Sequence, residues 1–294
     1  MKAIRWGRPG ESPFGDPALR ALFETASSAG PDERNDMVRQ LAAMLDMPNA
    51  YRASCVALCC GALVELGADP TIAGLAIVNR LRSAAIDQPV DRGAVRQLDR
   101  AAMAHLCRST VVRQAARHLP AITEVLAPYE AFTARVLELV DDLVIHVLAP
   151  DQRKGFRVRL HAVATNGHMF TLLQGALIGG DRLVADPVDP AVLAIATGEV
   201  IATKSLSDHQ RFRFDTWRGL ATTNSLRADF ASWIPVEGSP RDLPIGPSGL
   251  PVVLLGPPLI AGRSWDSNFF ANMHGALRSR AIGRGPAGAR RAVA

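Results

Sequence analysis

His161 and His168 bracket the stretch "HAVATNGH", where an alternating run of residues hands over to a helix-like one. Imidazole titrates near neutral pH, so a histidine held at a strand-to-helix turn is the first place to look for general acid–base chemistry. Neither histidine has Asp or Glu beside it in sequence, so a carboxylate to fix the tautomer has to come from elsewhere in the fold. His161 shares its strand face with Arg157 and Arg159. A second concentration runs from Asp208 to Asp242, where His209, Glu237 and Asp242 complete the candidates for a His–carboxylate pair. The same stretch holds Arg211, Arg213, Trp217, Arg218 and Trp233. Aromatics beside arginines and acids are the composition of a binding surface, and equally of a solvated strand face with snorkelling arginines.

The nearest approach to a phosphate loop is "GPPLIAGRS". A Walker A loop needs four residues between its glycines and then Lys, whereas Gly256 and Gly262 enclose five and Arg263 stands in place of Lys. Pro257 and Pro258 also remove two backbone donors. What survives is weaker: Gly262 and Arg263 at an expected helix N-terminus suit an anion, but the preferred reading is that Ser264 caps the helix and Arg263 pairs with an acid or faces water. Cys55 and Cys59 are spaced to share one metal, but Cys60 points away and two further ligands are missing, so core packing is the preferred reading. No metal site is expected. His105 and His118 would serve a haem or metal reading that ranks behind the others. G-x-S-x-G, H-E-x-x-H and C-x-x-C are all absent from the sequence, which counts modestly against the commonest enzyme classes.

The elements that would position these residues change in kind along the chain. From residue 17 to about 150, apolar positions recur at helical spacing with Pro, Gly and capping residues at the ends. Asp69 reads as the N-cap of "PTIAGLAIVNRLRSAA", Gly67 as the end of the helix before it, and "YEAFTARVLELVDDLVIHVLAP" as a helix closing at Pro150. At "GFRVRLHAVAT" the period becomes two. A helix capped by Asn166 follows, then short strands at "RLVAD", "EVIATKSL", "RFRFDTW" and "SWIPVEG", with a helix at "DPAVLAIATG". "PVVLLG" reads as a central strand, and Ser264 as the start of a helix carrying Trp265, Phe269, Met273 and Leu277 onto the sheet. The expected class is therefore α + α/β: a helical half, residues 17–150, then a mixed α/β or α+β half with a small twisted sheet, residues 155–280. Residues 1–16 are expected to be a flexible N-terminus and 281–294 a basic disordered tail.

The 294 residues are 48% hydrophobic, enough for one large core or two ordinary ones. The net charge of +5 is matched by Arg278, Arg280, Arg284, Arg290 and Arg291, which leaves the rest of the chain neutral and gives little basis for specific nucleic-acid binding. Arginine so outnumbers lysine that a GC-rich bacterial source is expected. The sequence contains no apolar stretch of membrane-spanning length and no secretory signal pattern, so a cytosolic protein with reduced thiols is expected. The preferred function is a binding or accessory protein that acts through a protein or peptide partner, needs no cofactor and leaves homo-oligomer formation open. The alternative is a cofactor-independent enzyme of small-molecule or peptide metabolism built on a His–carboxylate pair in the second half.

Overall fold

The first helices are α1 (Pro17–Ser28), α2 (Pro31–Ala42), α3 (Ala50–Glu65) and α4 (Gly74–Ile86), followed by α5 (Arg92–Arg108), α6 (Thr110–Arg117), α7 (Ile122–Leu126) and α8 (Phe132–Leu137). They come from a computed structural model that describes residues 17–87, 89–129, 131–200, 206–218, 232–257, 263–265 and 275–282. Their ends follow local chemistry. Asn49 accepts from the Arg52 N–H to start α3, Asp91 accepts from Gly93 and Ala94 to start α5, and Ser109 accepts from Val112 to start α6. At the end of α3, Gly67 takes a φ of +103°, and the N–H groups of Gly67 and Ala68 turn back onto the Val64 and Leu63 carbonyls. That is a Schellman closure, which favours glycine. α4 begins later than its sequence suggests. Asp69 does not cap it but closes a turn on the N–H and hydroxyl of Thr71, and those bonds hold its carboxyl below the usual carboxylate range.

α3 is the centre of this unit, buried from Ala53 to Val64 with few breaks, and Gly61 lets it approach the Ala101 backbone of α5. Such a helix, apolar on nearly all sides, belongs inside a core. It carries Cys55, Cys59 and Cys60, and Cys107 lies on α5; all four are buried free thiols. Burial pushes Cys59, Cys60 and Cys107 up to about 12 each and raises Cys55 as well. Thiolate is the reactive form. An aromatic disulfide reagent at mildly alkaline pH is therefore expected to leave all four unmodified in the native protein and to titrate all four in denaturant. Rapid native labelling of any of them would contradict this packing.

The chain is α+β, with ten helices and a five-stranded mixed sheet among the described residues. Its contacts divide into two compact units, Met1–Leu139 and Val140–Ala294. No described helix is long and apolar enough to cross a membrane. In the second unit, strands β1 (Leu143–Ala149), β2 (Lys154–His161), β3 (Leu206–Asp208), β4 (Arg213–Thr216), β5 (Val252–Gly256), β6 (Arg263–Trp265) and β7 (Ala276–Ala281) accompany helices α9 (Asn166–Leu177) and α10 (Pro190–Ala196). The main sheet runs β4-β5-β1-β2-β7, and β3 pairs with β6 separately. β1 and β5 are parallel; the other neighbours are antiparallel. α9 contributes Met169, Phe170, Leu172, Leu173 and Leu177 to the core it shares with Ile145, Val147, Val158, Leu160 and Val253. Phe170 stacks on Phe214 with ring centroids 3.9 Å apart.

Three sequence expectations are corrected. The helix expected to run to Pro150 stops at Leu137, and Leu143–Ala149 is strand β1. Its run of Val144, Ile145 and Val147 is β-branched, and apolar residues at both parities conceal the period of two. Ser264 does not open the expected helix, since Arg263–Trp265 is β6, and Leu277 lies on β7 (Ala276–Ala281); residues 266–274, with Phe269 and Met273, lie outside the described residues. A spacing of four positions misled because it marks one face of a strand as well as one face of a helix. Finally, "RLVAD" is a turn with the single bridge Leu183–Ile178, and "SWIPVEG" contributes only the bridge Trp233–Asp215, with Pro235 unable to extend the ladder. Residues 1–16 and 283–294 lie outside the described residues.

Candidate functional site

β1 and β5 end side by side at Ala149 and Gly256, and the carboxyl ends of parallel strands are where an open sheet commonly forms a crevice. A cavity of about 590 Å3 lies there, lined among others by Asp151, Val184, Asp186, His209, Arg211 and Gly256. Arg211 is its buried wall. It donates from Nη1 to Asp208 at 2.6 Å and from Nε to the Asp186 carbonyl at 3.2 Å, and it also reaches the His209 and Pro187 carbonyls. Its backbone N–H donates to Gln174 of α9 at 2.6 Å. The guanidinium is thus committed to holding loops together, not presented to a ligand. Burial pushes the Asp208 carboxyl up, but bonds from Arg211 and the His209 N–H outweigh it and leave the group below the usual range.

His209 is the histidine that meets carboxylates in this cavity. Its Nδ1 is 3.6 Å from Asp208 and its Nε2 is 3.9 Å from Asp186. Both separations exceed hydrogen-bond reach, about 2.6–3.2 Å, and the ring is half exposed. Among the described residues, the lining contains no Ser, Thr or Cys to serve as a nucleophile. His168 is buried and fully used: Ala164 N–H donates to its Nδ1 at 3.3 Å, and its Nε2 faces the Ala196 carbonyl at 2.7 Å, tying α9 to the end of α10. Thr165, one residue before the expected Asn166, caps α9 by accepting from the His168 N–H. His161 lies 3.6 Å from Asp142 near the end of β2.

The remaining candidates do not converge on these histidines. Glu237 and Asp242 are exposed, and among the described residues neither pairs with a candidate histidine. Arg213 pairs with the buried Asp215, which also accepts from Ser232 at 3.1 Å. Trp217 and Trp233 are half-buried, Arg218 is exposed, and the side chain of Arg263 lies outside the described residues. Burial lowers the pKa of His105 in the helical unit, although its Nδ1 bond to the Pro70 carbonyl at 2.8 Å acts the other way. Among the described residues, no group of three or more His, Cys, Asp or Glu side chains could hold a metal.

A second locus was assembled by pairing and not by sequence proximity. β2 and β7 set Arg157 directly opposite Arg280, and Arg159 directly opposite Arg278. All four arginines are exposed, on the face away from the core residues Phe156, Val158 and Leu160. His146 of β1 stands beside Arg157 in the same row, and His161 ends β2 on that face. Asp142 reaches Arg159 at 3.4 Å, whereas Arg157, Arg278 and Arg280 form no ion pair among the described residues. A shallow depression of about 210 Å3 is bounded by these arginines and Val144. The Arg–Ser–Arg alternation of residues 278–280 is the sequence signal for this face, although by composition the two arginines count only toward the net charge of the chain. Comparison with known protein families, curated proteins and solved structures finds no match for this chain.

Proposed function

We propose that the protein is a binding protein without its own catalytic centre, that it acts in the cytosol through a protein or peptide partner, and that its docking surface is the basic face of β2 and β7. The observation that carries this reading is the double Arg–Arg pairing, Arg157 with Arg280 and Arg159 with Arg278, answered by a single carboxylate among the described residues. A partner with an acidic surface supplies the missing charge. In this reading the helical half is a domain in its own right and the mixed half bears the binding face. The cavity supports an enzyme less well, because among the described residues His209 has neither a carboxylate in hydrogen-bond reach nor a neighbouring nucleophile.

The test is anisotropy of a labelled glutamate-rich peptide at low and moderate salt. Wild-type protein is expected to bind it, more weakly as salt rises. Replacing Arg157 and Arg159 together by Ser should weaken binding by about tenfold or more and flatten the salt dependence, while His209→Ala should leave it unchanged. The reverse pattern, loss with His209→Ala alone, would move the function to the cavity.

A further inference from the structure

We propose that the partner is an acidic segment in extended conformation, which adds as a strand to the outer edge of β7 and sets carboxylates at alternate positions beside Arg278 and Arg280. The proposal rests on the binding-face reading above and specifies how that face is engaged. β7 is the edge of the five-stranded sheet. Its backbone direction is fixed by the Ile282 N–H, which donates to the Gly155 carbonyl at 2.9 Å. In an antiparallel ladder successive residues alternate between facing the partner strand and facing away. Arg278 and Arg280 therefore bond to β2, and the N–H and C=O groups of Leu277, Ser279 and Ala281 point outward. Among the described residues none of these outward backbone groups is bonded across that edge. The opposite edge differs, because the Ile234 N–H already bonds the Phe214 carbonyl of β4.

Charge selects the occupant. Arginines on an edge strand are a common guard against edge-to-edge pairing between copies. A guard requires charge on the edge alone, however, and here the interior strand β2 carries Arg157 and Arg159 opposite them. Like charges directly across a ladder destabilise it, so the inner pair adds cost without adding protection. An anionic strand offsets that cost. Alternate residues of a strand are about 7 Å apart, so carboxylates at every second position fall in step with Arg278 and Arg280. A second copy of β7 would bring its own arginines and be repelled. Single-stranded nucleic acid is bound by aromatic platforms that stack its bases, and among the described residues no aromatic lines the depression beside these arginines.

The test uses the full chain and two labelled peptides of identical composition. One alternates Glu with Thr and Val; the other gathers its glutamates at one end. The alternating peptide is expected to bind about tenfold or more tightly than its isomer. N-methylating it at every second residue, on the edge that would face β7, should abolish binding without altering charge. Ala281→Pro should reproduce that loss from the protein side, since the N–H it removes points away from β2 and proline is tolerated on strand edges. Equal binding of the two isomers and of the N-methylated peptide, with loss on replacing Arg278 and Arg280 by Ser, would overturn strand addition but leave the acidic-partner reading standing. Failure of every peptide, or tighter binding of an oligonucleotide, would overturn both.

Discussion

Phe170→Ala is expected to destabilise the second unit by about 3–5 kcal/mol, the range for truncating a large core aromatic. Phe170 is 1% exposed on α9, and its ring stacks on Phe214, which is also 1% exposed on β4. Truncation removes contacts to both the helix and the sheet face and leaves a void that neighbours on a rigid ladder cannot fill. Tryptophan fluorescence can follow this unfolding, because Trp217, Trp233 and Trp265 all lie in that unit. Phe170→Leu, which keeps most of the volume, should recover part of the loss. An effect below about 1 kcal/mol for the alanine variant would mean that α9 does not seal the core as described.

Asp99→Ala should cost the helical unit nearly as much, through polar atoms and not through volume. Asp99 is 6% exposed on α5, and its carboxylate accepts from the Phe132 N–H at 3.0 Å and the Thr133 N–H at 2.9 Å, the first turn of α8. α8 spans only six residues and has no side-chain cap of its own, so a residue of a distant helix fixes where it begins. Alanine strands two donors, each worth about 1–3 kcal/mol when left unsatisfied, and removes an anion from a helix N-terminus. Asn should restore roughly half the loss, because its carbonyl oxygen still accepts. Far-UV circular dichroism through a guanidinium titration reads both variants. An Asn variant no better than Ala would show that charge, not acceptance, is what α8 needs.

Wherever a residue and its near neighbours suffice to fix the backbone, the sequence was informative. Gly67 ends α3, Asp189 accepts from the Ala191 N–H and Pro190 opens α10, the alternation of Phe156, Val158 and Leu160 marks β2, and the apolar run 252–256 is a covered strand. These outcomes depend on caps, fixed φ angles and a one-sided period, all readable over a few positions. Where the competing periods coincide, as at 143–149, only the strand available for pairing chose between helix and sheet. The candidate sites were less legible still. Nothing near His209 in sequence points to Asp186, nothing near His161 points to Asp142, and Arg211 resembled a surface group until its four acceptors surrounded it. The basic face depends entirely on register, since a slip of one residue would turn Arg278 and Arg280 toward the core. Sequence placed four arginines in two segments more than a hundred positions apart; the pairing of β2 with β7, decided by burying Phe156, Val158 and Leu160, set them opposite one another.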